Sequence, residues 1–482
     1  MAVSLYTVRV VIETLSIQDY GLYGAIGGIV LSFGLISGVL TNASQRFLSV
    51  EIGRGKSGNL KDTFSTLLFV YIVISLLVIV FAETIGLWFL DNKMTIPYGR
   101  ENAAYYVYQF SILSFIATLL ANPFQALIIA YERMNLYAYL SILDVFLKLA
   151  VVYALLFFSF DKLILYAILM FIVSIITNAV YIIYCYKNYE AVRFRLKIEK
   201  KILRTIFSYN SWTFLGALAG MCNTQGMNLM LNVFFGTLAN AAYSIASQIY
   251  STVAMFANNF YIAIKPVLIK DYVAGNYNYV LKLFNFSSKA LFLLMYIIIL
   301  PIMICTRDIL QIWLGEVGEY MVSFVQLSLV YTMIIVISYP ITAIVQAGGN
   351  VRLYHGIVDG FSLIALPIMY LLFHFGFSAY WAYIVSIVIF GIAHILRLII
   401  LRKEFSYFSI YNYIRHFILP SFCVIMISVT IMVPIKFYIP QDLLGIIITC
   451  FMSCVIAFIM GILIVLSKSD RSMIYNLIVK RK

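Results

Sequence analysis

Residues Tyr20–Leu60 read YGLYGAIGGIVLSFGLISGVLTNASQRFLSVEIGRGKSGNL. A long apolar run with small residues along one face ends in a basic, glycine-rich loop. The same plan returns about 220 residues later without a gap: Tyr23 matches Tyr243, Glu51 matches Asp271 and Gly55 matches Gly275. Gln45 and Arg46 fall opposite Lys265 and Pro266. Further anchors extend the match. Trp88 answers to Trp313, Pro123 to Pro340, Ala126 to Ala343, and Leu136-Tyr137 to Leu353-Tyr354. The chain reads as two similar halves.

Composition says what kind of halves these are. Of the 482 residues, 63% are hydrophobic and 11% are charged, and the mean hydropathy is +0.98. Globular soluble chains carry about a quarter charged residues, so this is a membrane protein with almost no soluble domain. The apolar runs approach the ~20 residues that span a bilayer core. They are continuous rather than alternating, as in Leu67–Phe81 and Leu291–Met303, which selects helices over a barrel. The expected fold class is an all-α polytopic membrane protein of about fourteen spans. They fall near 1–16, 22–48, 64–90, 104–131, 136–159, 162–186, 206–234, 240–268, 283–306, 320–347, 351–374, 378–401, 413–437 and 442–467.

The net charge of +13 reports orientation rather than nucleic-acid binding. With this span count, 24 basic residues fall on one side, concentrated at Lys187–Arg204 and in the tail from Lys468. Five fall on the other: Lys93, Arg100, Lys162, Arg307 and Lys436. Arg397, Arg402, Lys403 and Arg415 count with the loop after span twelve. The asymmetry places both termini in the cytoplasm. Span one is short and lacks a basic flank, so a missing N-terminal half-helix is expected, and no cleavable signal peptide is evident. Expected domains are 1–205 (six spans), 206–404 (six spans) and 405–482 (two further spans and a basic tail). Six is even, so the repeats run parallel, a plan used by transporters.

The segment YTVRVVIETLSIQDYGLYGAIGGIV (6–30), with the 6+6+2 span count, resembles the polysaccharide-export branch of the multidrug/oligosaccharidyl-lipid/polysaccharide (MOP) exporter superfamily. That branch is related to MATE transporters and lipid II flippases. The resemblance covers the whole chain, and its motifs are diffuse. It implies two six-helix lobes in a V around a central cavity, rocking to expose it to each face in turn. It also implies an undecaprenyl-diphosphate-linked O-antigen or capsule repeat unit as cargo in a bacterial inner membrane. The expected partners are that lipid-linked oligosaccharide, membrane lipids, a coupling proton or sodium ion, and the pathway's glycosyltransferases or glycan polymerase, with no nucleic acid and no cofactor.

Charges inside spans mark the candidate site, because each costs at least ~2.5–3.5 kcal/mol unless paired or wet. Arg9, Arg46, Lys148 and Lys265 are the basic candidates for holding a diphosphate headgroup, while Glu13, Asp144 and Asp359 are the acidic candidates for ion coupling. Arg9/Glu13 and Asp144/Lys148 are i,i+4 pairs that share a helix face, so internal neutralisation competes with substrate binding. Arg46 and Lys265 lie about a turn from the cytoplasmic span ends, where snorkelling competes with a role at the mouth. Asp359 has no Lys or Arg at i±3 or i±4; of those positions only His355 and Ser362 are polar. Asn228, Asn232, Tyr243, Asn258 and Asn259 are candidate glycan contacts, against the alternative that amides glue membrane helices and tyrosines line the interface. Pro123 and Pro340 favour matched bends in spans four and ten.

Nothing points to catalysis. The four histidines are scattered, the six cysteines form no CxxC pair, and there is no P-loop. A multidrug or cation antiporter of the same superfamily is the alternative; it calls for a net acidic cavity, whereas intramembrane charges here roughly balance. A glycan-polymerising membrane enzyme would need a large ordered external loop, and the longest expected ones, 91–103 and 307–319, are short.

Overall fold

The computed structural model describes residues 33–471 apart from 56–57, 95, 97, 158–160, 193–199, 316, 350, 441 and 468–469. It also describes residues 11, 14, 15, 19, 22, 23, 26, 27 and 30. Among these, the regular structure is helical, with no strand. This is what lipid demands of a chain whose backbone groups must find partners within their own segment.

The helices are α1 Gly34–Gly53, α2 Leu60–Asn92, α3 Glu101–Ala130, α4 Met134–Phe157, α5 Lys162–Asn188 and α6 Lys200–Val273. Then come α7 Tyr277–Ile304, α8 Thr306–Leu314, α9 Met321–Gly348, α10 Val351–His374, α11 Trp381–Glu404, α12 Ile410–Tyr438 and α13 Leu443–Val465. Eleven helices among the described residues are long and apolar enough to cross a membrane. They coincide with all the expected spans except three. Span 1–16 falls mostly outside the described residues, and 22–48 is described only in part. Span 206–234 is helical but carries Asn210, Asn223, Gln225, Asn228 and Asn232, which lower its hydropathy. Within α6 the helix breaks at Gly236 (φ 75°, ψ −165°), a backbone state open to glycine. The break falls where the sequence sets the turn between 206–234 and 240–268.

Contacts divide the chain into two units, Met1–Phe214 and Leu215–Lys482. In the first, α3 is the hub, packing on α5, α1 and α2, while α4 packs on α5. Alanines 103, 104, 121, 126 and 130 of α3 are buried and let its neighbours approach closely. Asn122 of α3 donates to Ser37 Oγ of α1 at 2.9 Å. In α2 the turn Ala82–Gly86 widens to a π-helix, and Tyr108 of α3 donates its hydroxyl to the Ala82 carbonyl at 2.7 Å. A Cβ at Gly86 would lie 1.9 Å from that hydroxyl, so glycine is required there. At the same end of α3, Arg100 pairs with both Asp19 and Asp161.

In the second unit the corresponding pairings recur. Helix α9 packs on α11 as α3 does on α5, and α10 packs on α11 as α4 does on α5. Helix α7 packs on α9 and also on α13, whose Gly461 abuts Leu293. The two prolines are not equivalent. Helix α3 runs unbroken through Pro123, whereas α9 turns at Ile337–Ser338 and restarts with Pro340 in the first turn of Tyr339–Gly348. Proline is tolerated in a first turn because its missing N–H has no partner to lose there.

Candidate functional site

In the first unit, α3, α4 and α5 enclose a cavity of about 800 Å³, with Tyr23, Gly27 and Val30 also in its wall. The lining mixes apolar side chains with hydroxyls and amides. Ser114, Thr118, Ser174 and Asn178 form a ladder that links α3 to α5: Asn178 donates to Thr118 Oγ1 and to Ser174 Oγ at 3.2 Å each, and Ser174 donates to the Ser114 carbonyl at 3.1 Å. These groups satisfy one another, so their first role is to hold the wall.

The charged part of the wall belongs to α4. Asp144 and Lys148 meet at 2.7 Å and are 33% and 44% exposed on their side chains. The i,i+4 spacing places them on one helix face, as expected. An exposed pair of this kind is worth only about 0.3–0.5 kcal/mol. Lys148 can therefore leave Asp144 for a guest anion at little cost, and the cavity's ionised wall carries no net charge while the pair is intact.

Arg46 and Lys265 do not line this cavity. Arg46 of α1 is buried, its guanidinium 4.9 Å from the ring centroid of Phe47 and 4.8 Å from that of Tyr209. Lys265 of α6 is 2% exposed, with its ammonium 5.7 Å from the Tyr261 ring centroid. Both sit against aromatic faces, an arrangement worth ~0.5–2 kcal/mol. Arg9 and Glu13 lie outside the described residues.

In the second unit Asp359 lies at the end of a π-helical turn, His355–Asp359, in α10. Its carboxylate meets His355 Nδ1 at 2.6 Å. A small cavity of about 50 Å³ nearby is lined by Asn223, Tyr243, Tyr250, Tyr331 and Tyr383. Tyr243 donates to the Thr224 carbonyl at 3.0 Å. Among the proposed amide contacts, Asn228 is tied to Asn240 at 2.5 Å across the Gly236 break, while Asn232, Asn258 and Asn259 are exposed and outside both cavities.

Sequence reasoning placed Arg397 with a cytoplasmic loop, but it is 6% exposed, two turns inside the end of α11. Its Nε donates to the Tyr354 hydroxyl at 3.0 Å and its Nη1 to Ser338 Oγ at 3.4 Å. Ser338 also meets His394 Nδ1 at 2.9 Å. Basic residues near a span end read alike in sequence whether they face water or the bundle. Just beyond the end of α13, Asp470 pairs with Lys289 of α7 at 2.7 Å. Burial works against the Asp470 carboxylate, yet Lys289 and Ser467 hold it below the usual carboxylate range. Tyr131 stacks on Tyr189 at 4.4 Å, and burial pushes the Tyr189 phenol up to about 12.

No protein-family model matches the chain, and no curated protein matches it. Solved structures do. A multidrug resistance MATE family transporter of the MOP superfamily in an outward-facing conformation aligns with TM-score 0.71 and 15% identity, covering 84% of this chain and 92% of the other. A MATE transporter in the straight conformation aligns at 0.65 and 16%, covering 83% and 96%. A MOP superfamily transporter from Pyrococcus furiosus, described as having a binding pocket of reversed polarity that suggests a different function, aligns at 0.64 and 15%, covering 83% and 95%. The chain is a multi-pass, all-helical membrane protein with the fold of the MATE transporters of the MOP superfamily.

Proposed function

We propose that the protein is a membrane transporter that carries an undecaprenyl-diphosphate-linked oligosaccharide across the bacterial inner membrane by alternating access. The supporting observation is the large cavity of the first unit. Its walls offer hydroxyls, amides and tyrosine faces suited to a glycan. Its single charged pair offers Lys148 to an acidic group at small cost. The resemblance of 6–30 to the polysaccharide-export branch supports the same cargo. In this reading Arg46 and Lys265 act at the cytoplasmic mouth, both termini are cytoplasmic, and the protein works beside glycosyltransferases or a glycan polymerase.

The second reading is a multidrug or cation antiporter, favoured by the names of the solved neighbours. A cationic drug would require an unneutralised carboxylate, and Asp144 is held by Lys148. Proteoliposomes loaded with a fluorescent undecaprenyl-diphosphate glycan distinguish the two. Inward and outward movement of the glycan, abolished by Lys148→Glu, is the expected result. Efflux of a lipophilic cation with no glycan movement would overturn the proposal in favour of the antiporter.

A further inference from the structure

Helices α7 and α13 of the second unit bring two cysteines to one place. The helices run antiparallel, and their contacts follow in order. Lys289 meets Asp470 at 2.7 Å, Leu293 abuts Gly461, and the Ile297 carbonyl accepts from Cys454 Sγ at 3.5 Å. Continued, that order carries the end of α7, at Cys305, toward Cys450, one turn before Cys454 on α13. The two thiols meet there, S–H to sulfur, in a side-chain hydrogen bond. Cys305 is 1% exposed, and Cys450 is half-buried. From α12, Lys436 Nζ donates at 2.7 Å both to the Ile304 carbonyl and to Asp308, which holds the chain on either side of Cys305.

A single thiol between helices is explained by packing, as a small apolar group that fills a gap. Two thiols in contact, far apart in the chain and on different helices, can do more. The helix they would secure is one that needs it. Helices α12 and α13 lie outside the repeat, and each has only 22% of its most apolar stretch buried, against 61% for α7. A covalent link at this point closes a long loop, the case in which a link constrains the unfolded chain most.

We propose that Cys305 and Cys450 are a disulfide site that staples α13 to the end of α7, and that this structure shows its reduced, dithiol form. In the orientation read from the basic residues, this end of the bundle lies on the outer side with Arg307 and Lys436, where an oxidising compartment maintains disulfides. The oxidant is an organic disulfide, RS–SR, free or on a thiol oxidoreductase. Cys450, the more accessible sulfur, attacks it as the thiolate; one RS⁻ leaves and takes up a proton, and Cys450 is held in a mixed disulfide. Cys305 then displaces the second RS⁻. The two thiols lose two electrons and two protons, and the oxidant becomes two RSH.

The bond can be read directly. Cyanogen bromide cleaves after methionine and leaves every cysteine of this chain in a fragment of its own, Cys305 in 304–321 and Cys450 in 433–452. The full-length protein is taken from cells quenched in acid, alkylated, cleaved and analysed by mass spectrometry. Fragments 304–321 and 433–452 should be joined by a bond that a reductant breaks, and should be separate in Cys450→Ser. Alkylated Cys305 and Cys450 in the quenched cells overturn the proposal, as does a link that forms only after dipyridyl disulfide is added to the purified protein. A link from 433–452 to 453–460 overturns the pairing. In nanodiscs, oxidised wild type should unfold several degrees above reduced wild type, and equal unfolding temperatures with the link present overturn the staple. That comparison needs no substitution, so it stands even where a variant fails to fold. Neither measurement depends on any cargo moving, so the transporter reading is tested apart from it.

Discussion

Two i,i+4 pairs, one in each unit, show how differently the same spacing can be used. Asp144–Lys148 on α4 and His355–Asp359 on α10 are both one turn apart, and each lies on the fifth helix of its expected repeat. The first opens onto a cavity of about 800 Å³ and is a third to almost half exposed. The second lies against the backbone of α6 at Gly216, with side chains 9% and 21% exposed. Spacing made both pairs; only the neighbouring helices decided that one lines a large cavity and the other packs against a glycine. Exposure also sets their worth, since an accessible pair gains little from its partner, whereas a buried one suffers when a partner is lost.

The comparison can be broken most sharply at Gly216. Gly216→Ala forces a methyl group into the His355–Asp359 contact and should destabilise the protein by about 1–3 kcal/mol, the usual cost of overpacking. Thermal unfolding in detergent measures this. Gly220→Ala, four residues along the same helix and facing open space, is the control and should be neutral. A loss in both variants would mean that the helix, not the pair, is sensitive.

Next in size is the cavity pair. Lys148→Glu places two carboxylates on one face of α4 and should lower glycan transport at least tenfold, about 1.4 kcal/mol, while Lys148→Arg retains most of it. Equal rates in the two variants would sever the cavity from the cargo. Stability should hardly register this pair: Lys148→Met is expected to shift unfolding by only about 0.3–0.5 kcal/mol, far less than Gly216→Ala.

The smallest effect lies where Asp470, beyond the end of α13, meets Lys289 of α7. Asp470 titrates below its ordinary value of 3.8 when folded. Its contribution is therefore complete above that value and is lost as pH falls through it toward the folded-state value. Hydrogen exchange around 467–471 should quicken as pH drops below about 4, relative to Lys289→Met, which should lack the dependence.

Much of the architecture was legible from residue order. Apolar runs near the bilayer length gave eleven helices where spans were expected, and Gly236 breaks α6 between two of them. The Asp144–Lys148 pair was legible because a helix fixes which residues share a face. Arg397 was not, because its burial depends on α9 and α10, which are distant in sequence. Nor was the difference between the two prolines, since the same residue sits inside an unbroken helix at Pro123 and starts a new segment at Pro340.

The sequence by itself determined that this chain lives in a membrane, that it is helical, and that its charges come in one-turn pairs. These follow from hydropathy and helical period, which are local properties. Only the tertiary structure decided which pair faces a cavity, which lies under a glycine, and which arginine is buried. Those outcomes depend on which helix lies across which, and side-chain access is set by the neighbour rather than by the residue.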